Sequence, residues 1–209
     1  MTELYFIRHG QTIINQEHKI NGAHVDTALT ATGVAGAQAA GRELQQVQFD
    51  QVFVSPQKRA QATAKLVLAP NLAAPALQIA APLHEMDFGD WEGRSIDEGN
   101  QDPALRRFFV DPAHYDPSSF HGETFASVVA RGQLLLQQLV SDFPQQRLLI
   151  VGHGTMLTLM VRSALGATVG EIMTQPQLAN TSISVLQGKS ADSLELARWN
   201  DIHFLTNIA

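Results

Sequence analysis

Two short stretches decide the fold: Leu4-Tyr5-Phe6-Ile7-Arg8-His9-Gly10 and Leu148-Leu149-Ile150-Val151-Gly152-His153-Gly154. In each, four consecutive apolar residues run almost directly into a His-Gly pair. A continuous apolar run of this length, carrying aromatic or β-branched side chains, reads as a strand buried on both faces, the pattern of a parallel sheet in an α/β protein. If the two strands are parallel, both histidines leave the sheet at its carboxyl edge, where open α/β sheets hold ligands.

Working outward, residues 51–54 form a third such strand, ended by Ser55-Pro56, and residues 59–68 read as a helix stopped by Pro70. This β-α unit delivers Arg59 to the same edge, one turn into its helix. Residues 30–44, rich in Ala and Gln and opened by Thr30, predict another helix, weakened by Gly33, Gly36 and Gly41. A short apolar stretch at 77–79, inside an Ala- and Pro-rich segment, reads as an edge strand. The clearest helical period lies in 123–143, where Phe125, Val128, Val129, Leu135, Leu136, Leu139, Val140 and Phe143 share a face and Pro144 ends the run. An apolar helix over 154–165 and strands over 182–186 and 194–199 complete the pattern.

Strands alternating with helices predict an α/β three-layer sandwich, with a mostly parallel central sheet and helices on both faces. No linker, repeat or low-complexity tract interrupts the chain, so residues 1–209 read as one domain. Residues 97–122, with Pro103, Pro112 and Pro117 among several aromatics, are the least regular segment. They are expected to form a cap-like insertion over one end of the sheet.

With 209 residues, 44% of them hydrophobic and 16% charged, the chain has the apolar material for a substantial core. Its net charge of -6 argues against general nucleic-acid binding, which needs a basic surface to displace phosphate counterions. Cysteine is absent, which excludes disulfides, thiolate nucleophiles and Cys-ligated zinc together. No basic segment precedes an apolar stretch at the N-terminus, and no apolar run reaches bilayer length. The expectation is a cytoplasmic protein with no membrane partner; nothing in the sequence speaks to oligomeric state.

Two imidazoles and two guanidiniums at one sheet mouth repel each other unless an anion lies between them, and phosphate is the natural guest. Arginine forks match phosphate oxygens, and amides at a helix start such as Gly154 add donors. A lone histidine at a strand end is ordinarily a satisfied, partly buried side chain. His9 and His153 together, with Arg8 and Arg59 on parallel elements, are poorly explained that way. Neighbouring arginines disfavour imidazole protonation, which leaves His9 available as a nucleophile. The eight histidines include no His-Glu-x-x-His or similar pairing, so a zinc or di-metal hydrolase has little support and no metal is expected.

At this point the residues resemble a known family. Arg8-His9-Gly10-Gln11-Thr12 with Asn15, Asn21-Gly22 with Asp26, and Ser55-Pro56-Gln57-Lys58-Arg59 are similar to motifs of the histidine phosphatase superfamily, which includes the phosphoglycerate mutases. So are Glu85-Met86-Asp87-Phe88-Gly89, Gly122-Glu123-Thr124 and Val151-Gly152-His153-Gly154. The resemblance implies a phosphoglycerate mutase-like fold with His9 as nucleophile, Arg8, Arg59 and a protonated His153 as phosphate clamp, and Glu85 as proton donor. It also implies that Asn15, Asn21 and Gly22 line the pocket. Composition alone does not separate Glu85 from Asp87, Asp90 and Glu92, which crowd the same loop.

The implied activity is metal-independent hydrolysis of a small phosphorylated metabolite through phosphohistidine, without a cofactor. The alternative is a phosphoglycerate mutase, which would bring 2,3-bisphosphoglycerate as cofactor. Mutases typically carry Arg-His-Tyr-Gly after the acid, and the Arg and Tyr hold the substrate carboxylate. Met86-Asp87-Phe88-Gly89 removes a cation and a hydroxyl and adds an anion, which favours a phosphatase. Arg106-Arg107 resembles a substrate-contacting pair in the mutases, but without that Arg and Tyr it reads better as a solvated helix end. A non-catalytic phospho-ligand binder is the third reading, and the presence of His9, Arg8, Arg59, Glu85 and His153 argues against it.

Overall fold

The apolar run at residues 4–7 lies in strand β1, Thr2–Arg8, and its counterpart at 148–151 in β4, Arg147–Gly152; the two pair in parallel with Ile7 opposite Val151. The computed structural model describes residues 1–71, 73–173 and 175–206, so the last three residues of the expected 1–209 domain lie outside the described residues. With β2 (Gln51–Val54), β3 (Leu77–Ile79), β5 (Ile183–Gly188) and β6 (Glu195–Asp201), these strands form a six-stranded sheet in the order β3-β2-β4-β1-β5-β6. The first four of that order run parallel, and β5 and β6 add antiparallel on the far side of β1.

Eight helices accompany the sheet among the described residues: α1 Ile13–Gln16, α2 Ala31–Glu43, α3 Lys58–Leu68, α4 Ile96–Gly99, α5 Pro103–Val110, α6 Phe125–Asp142, α7 Gly154–Ala164 and α8 Val169–Met173. Alternation along the strands feeds two cores. Leu4, Phe6, Leu148 and Ile150 pack on one face with Leu136 of α6 and Met156 of α7. Ile7, Val54, Leu149 and Val151 pack on the other with Ala40 of α2 and Ala64 of α3. Each fully buried aliphatic side chain stabilises this arrangement by about 1.5–3 kcal/mol. The α/β architecture with helices on both sheet faces is therefore as the sequence predicts.

Helix starts follow side-chain caps. The Thr30 hydroxyl accepts from the Gly33 amide at 3.0 Å, and Thr124 accepts from Ser127 at 3.2 Å. The segment 97–122 departs from expectation in holding a regular helix, α5. There Asp102 accepts from the amides of Ala104 and Leu105, each at 2.9 Å, and Pro103 occupies the first turn, where its missing N–H costs nothing. Leu105 and Phe108, three residues apart, bury the inner face of α5 in the core. Among the described residues no helix is long and apolar enough to cross a membrane.

Candidate active site

Parallel pairing of β1, β2 and β4 brings the ends of three strands to one edge, and the catalytic candidates stand there. His9 follows β1 and His153 follows β4, and their rings lie 5.1 Å apart. Arg59, in the first turn of α3, donates from Nε to His153 Nδ1 at 3.2 Å. Glu85, on the loop after β3, accepts from the Thr155 and Met156 amides at 3.1 and 2.9 Å and from Met86 at 2.8 Å. Its carboxyl group thus sits at the N-terminus of α7, held in place by amides that the helix leaves unpaired. His9, Arg59, Glu85 and His153 are all buried, and His153 is wholly excluded from solvent.

These contacts fix the state of the two rings. The Gly10 carbonyl can only accept, so the 2.8 Å contact to His9 Nδ1 puts the proton on Nδ1 and leaves the Nε2 lone pair free. Burial, then Arg59 and Arg8, hold the His9 imidazole well below its ordinary pKa. For His153, Arg59 donates to Nδ1, so the proton sits on Nε2 and is donated to Ser55 Oγ at 2.7 Å. Burial, then Arg59 and His9, hold this ring well below the ordinary range too. In the free protein both His153 nitrogens have partners and a buried cation beside Arg59 is unfavourable; the protonated His153 that the family resemblance implies belongs to the phosphate-bound state.

A cavity of about 260 Å³ opens over this edge. Arg8, His9, Asn15, Asn21, Glu85 and Thr155 line its polar end. Two polar atoms there, Arg8 Nε and Asn21 Oδ1, are buried without a hydrogen-bond partner. Burial lowers the pKa of Arg8 and nearby Glu85 opposes the shift. A desolvated guanidinium with an unused donor is an anion-binding feature. Asn15 Oδ1 accepts from the Thr12 amide at 3.1 Å and its hydroxyl at 2.9 Å, a capping box that starts α1. Asn21 donates to the same hydroxyl at 3.2 Å.

Arg59 and His153 do not line this cavity; they lie beneath His9, and Arg59 is occupied by backbone. Its Nη2 donates to Gly22 O at 2.9 Å and its Nη1 to Val25 O at 2.7 Å. Gly22 therefore contributes a carbonyl to Arg59 rather than a wall to the cavity. A Cβ at Gly22 would meet Glu92 Oε1 at 2.2 Å, so a larger residue there would displace the Glu92 carboxylate. Gly154 has a similar steric role: a Cβ would lie 3.1 Å from Arg8 Cζ, and its absence makes room for the guanidinium. Arg106 and Arg107 are exposed on α5 and neither lines the cavity.

The acidic loop sorts itself by contacts. Glu92 accepts from the amides of Ala23, His24 and Val25 at 2.7, 2.7 and 2.9 Å and staples the 22–25 loop over Arg59. Asp87 pairs with exposed His24 at 2.9 Å, and Asp90 with exposed His121 at 3.0 Å. Among the acids at 85, 87, 90 and 92, only Glu85 lines the cavity. His24, Asp87 and Glu92 bring potential ligand atoms within 4.8 Å of one another, but both Glu92 oxygens already accept amides.

Sequence reasoning missed Glu92 and Gln57. The Gln57 side chain donates to Gly22 O at 2.8 Å and accepts from the Glu85 amide at 2.9 Å, joining the arginine clamp to the acid. The local hint was the place of Gln57 directly after the strand-ending Ser55-Pro56 turn, which does not show which loop it reaches.

The family model described as the histidine phosphatase superfamily (branch 1) matches residues 4–202. The adenosylcobalamin/alpha-ribazole phosphatase of Escherichia coli (strain K12) is 35% identical over 165 residues, covering 78% of this chain and 79% of its own. A 2,3-bisphosphoglycerate-dependent phosphoglycerate mutase of Methylobacterium sp. (strain 4-46) is 35% identical over 182 residues, or 81% of this chain and 83% of its own. Among solved structures, Bacillus stearothermophilus YhfR superposes with a TM-score of 0.89 at 29% identity, covering 98% of this chain and 100% of that one.

Proposed function

The chain belongs to the histidine phosphatase superfamily, and from that premise we propose that it is a metal-independent, cytoplasmic phosphomonoester hydrolase that turns over a small phosphorylated metabolite through phosphohistidine on His9. The observation that carries this reading is the pairing of a neutral His9, whose Nε2 is free, with the unpartnered Arg8 Nε and the Glu85 carboxyl around one cavity.

In the proposed reaction His9 Nε2 attacks phosphorus while the ester P–O bond breaks, and protonated Glu85 gives its proton to the leaving oxygen. Water then attacks the phosphohistidine, Glu85 takes the proton from that water, and the P–N bond breaks to release phosphate and His9. Arg8 meets the equatorial oxygens directly. Arg59 and His153 act from beneath, the guanidinium by its charge and His153 by fixing the floor on which His9 rests. The chemistry needs no metal and no bound cofactor.

Residues 86 and 88 support hydrolysis over isomerisation. Met86 is fully buried in the core and Phe88 lines the cavity, so neither position offers a cation or hydroxyl to a substrate carboxylate. The mutase reading draws on the 35% identity to a phosphoglycerate mutase, and it brings 2,3-bisphosphoglycerate with it. Two assays separate them. The purified protein with EDTA present is expected to release phosphate from p-nitrophenyl phosphate and from members of a metabolite panel. Fast conversion of 3-phosphoglycerate to 2-phosphoglycerate with added 2,3-bisphosphoglycerate would overturn the phosphatase assignment.

A further inference from the structure

Away from the phosphate end, the cavity changes character. Its walls there are Ile20, Phe88, Ile96, Leu105, Phe108 and Phe109. Phe88 and Phe109 each approach the Phe108 ring, with centroids 5.3 and 4.8 Å apart, so the three rings form one continuous aromatic wall. Phe109 is 48% exposed, an aromatic side chain left in water at the lip of a cavity it lines. Apolar surface of that kind, joined to a pocket, marks a ligand contact.

The polar groups at this end are few and partly engaged. Lys19 is paired with Glu17 at 2.7 Å, and Gln177, which donates to Thr155 Oγ1 at 3.3 Å, sits toward the phosphate end. Asn100 is the remaining polar wall residue. A polyhydroxylated organic group here would press hydroxyls against hydrocarbon without partners, which is unfavourable. A carboxylate beside the ester would find Arg8 already facing the phosphate and, of the other lining residues, a single half-exposed cation, Lys19, which would have to leave Glu17.

We propose that the organic end of the cavity selects phosphate monoesters bearing an apolar, ring-sized group next to the ester oxygen, over sugar phosphates and phosphoglycerates. The proposal rests on the phosphatase reading above and makes Phe109 a specificity-determining residue.

The test has a turnover arm and a binding arm, both on the full chain. Benzyl phosphate, glycerol 3-phosphate and glucose 6-phosphate are all esters of primary alcohols, so differences in kcat/KM report mainly on recognition of the organic part. Benzyl phosphate is expected to exceed the other two by about tenfold or more, the scale of burying part of one ring. Phe109→Ala should lower that ratio about fivefold and Phe109→Leu should restore most of it, an outcome general damage to the fold would not produce. In the binding arm, calorimetry with non-hydrolysable benzylphosphonate and 2-hydroxyethylphosphonate should show the same preference. Equal kcat/KM across the three esters, or equal affinity for the two phosphonates, overturns the proposal. Preferential phosphonate binding without hydrolysis of any ester would instead sink the phosphatase reading and leave the ligand class standing.

Discussion

The floor of the site and its organic wall are built on opposite principles. The floor is polar, buried and tied down at almost every atom: Arg59 holds His153 and two loop carbonyls, His153 holds Ser55, and Gln57 joins Gly22 to Glu85. The wall is apolar, takes Leu105, Phe108 and Phe109 from the short helix α5, and leaves Phe109 half in water. A group that performs chemistry must be held in one position, because small displacements cost rate steeply. A wall that only sorts substrates needs area and shape. The contrast therefore predicts that changes in the floor alter rate or stability for every substrate, whereas changes in the wall alter the ranking among substrates.

The largest effect expected in the floor is on proton transfer. Glu85→Gln should slow esters of poor leaving groups by about 10²–10⁴-fold, the usual worth of general acid-base catalysis. Nitrophenyl esters, whose leaving oxyanion is already stable, should slow far less. Steady-state rates on alkyl and nitrophenyl phosphates give the comparison directly. Equal slowing of both would remove Glu85 as the acid and turn attention to Asp87.

Next is the staple. Glu92→Ala leaves the Ala23, His24 and Val25 amides without their carboxylate. Hydrogen bonds to a charged group contribute about 1.5–3 kcal/mol each in favourable cases, and the partly exposed loop recovers some of this from water. The expected loss is about 1–3 kcal/mol in denaturant unfolding, with a lower kcat/KM on every ester tested. An unchanged unfolding midpoint would show that the loop holds Arg59 without Glu92.

The remaining effect, on stability rather than rate, is a pH dependence. His9 and His153 have folded pKa values well below those of the unfolded chain, because burial and then the arginine Arg59 disfavour their charged forms. Above about pH 6.5 both rings are neutral in either state and the full stability is present. As pH falls below that value the unfolded chain takes up protons that the folded floor refuses, so stability drops by up to about 1.4 kcal/mol per pH unit for each ring. Denaturant unfolding between pH 6.5 and 5 measures the slope, and His9→Asn should reduce it. A flat profile would mean that the rings protonate in place.

How much of this was legible in the sequence follows the same division. The strands at 4–7, 51–54 and 148–151 were readable because burial on both faces demands unbroken apolar runs, and with parallel pairing His9, His153 and Arg59 had to meet. Helix α5 was hidden because Pro103 and the prolines after it read as breakers, while the helix-starting geometry of Asp102 became visible only with the backbone. Glu92 and Gln57 were hidden for a different reason. Both act on backbone amides and carbonyls of a distant loop, and no local pattern records which loop that is. The tautomer of His153 in the free protein depends on the direction of a single hydrogen bond from Arg59, which no sequence pattern records.

The central claim is that phosphate rests transiently on His9. Brief mixing with a fast phosphate ester, an alkaline quench and peptide mass spectrometry should find an acid-labile phosphoryl group on the peptide containing His9, and His9→Ala should show neither the adduct nor turnover. Turnover retained by His9→Ala, or an adduct carried by another residue, would contradict the account.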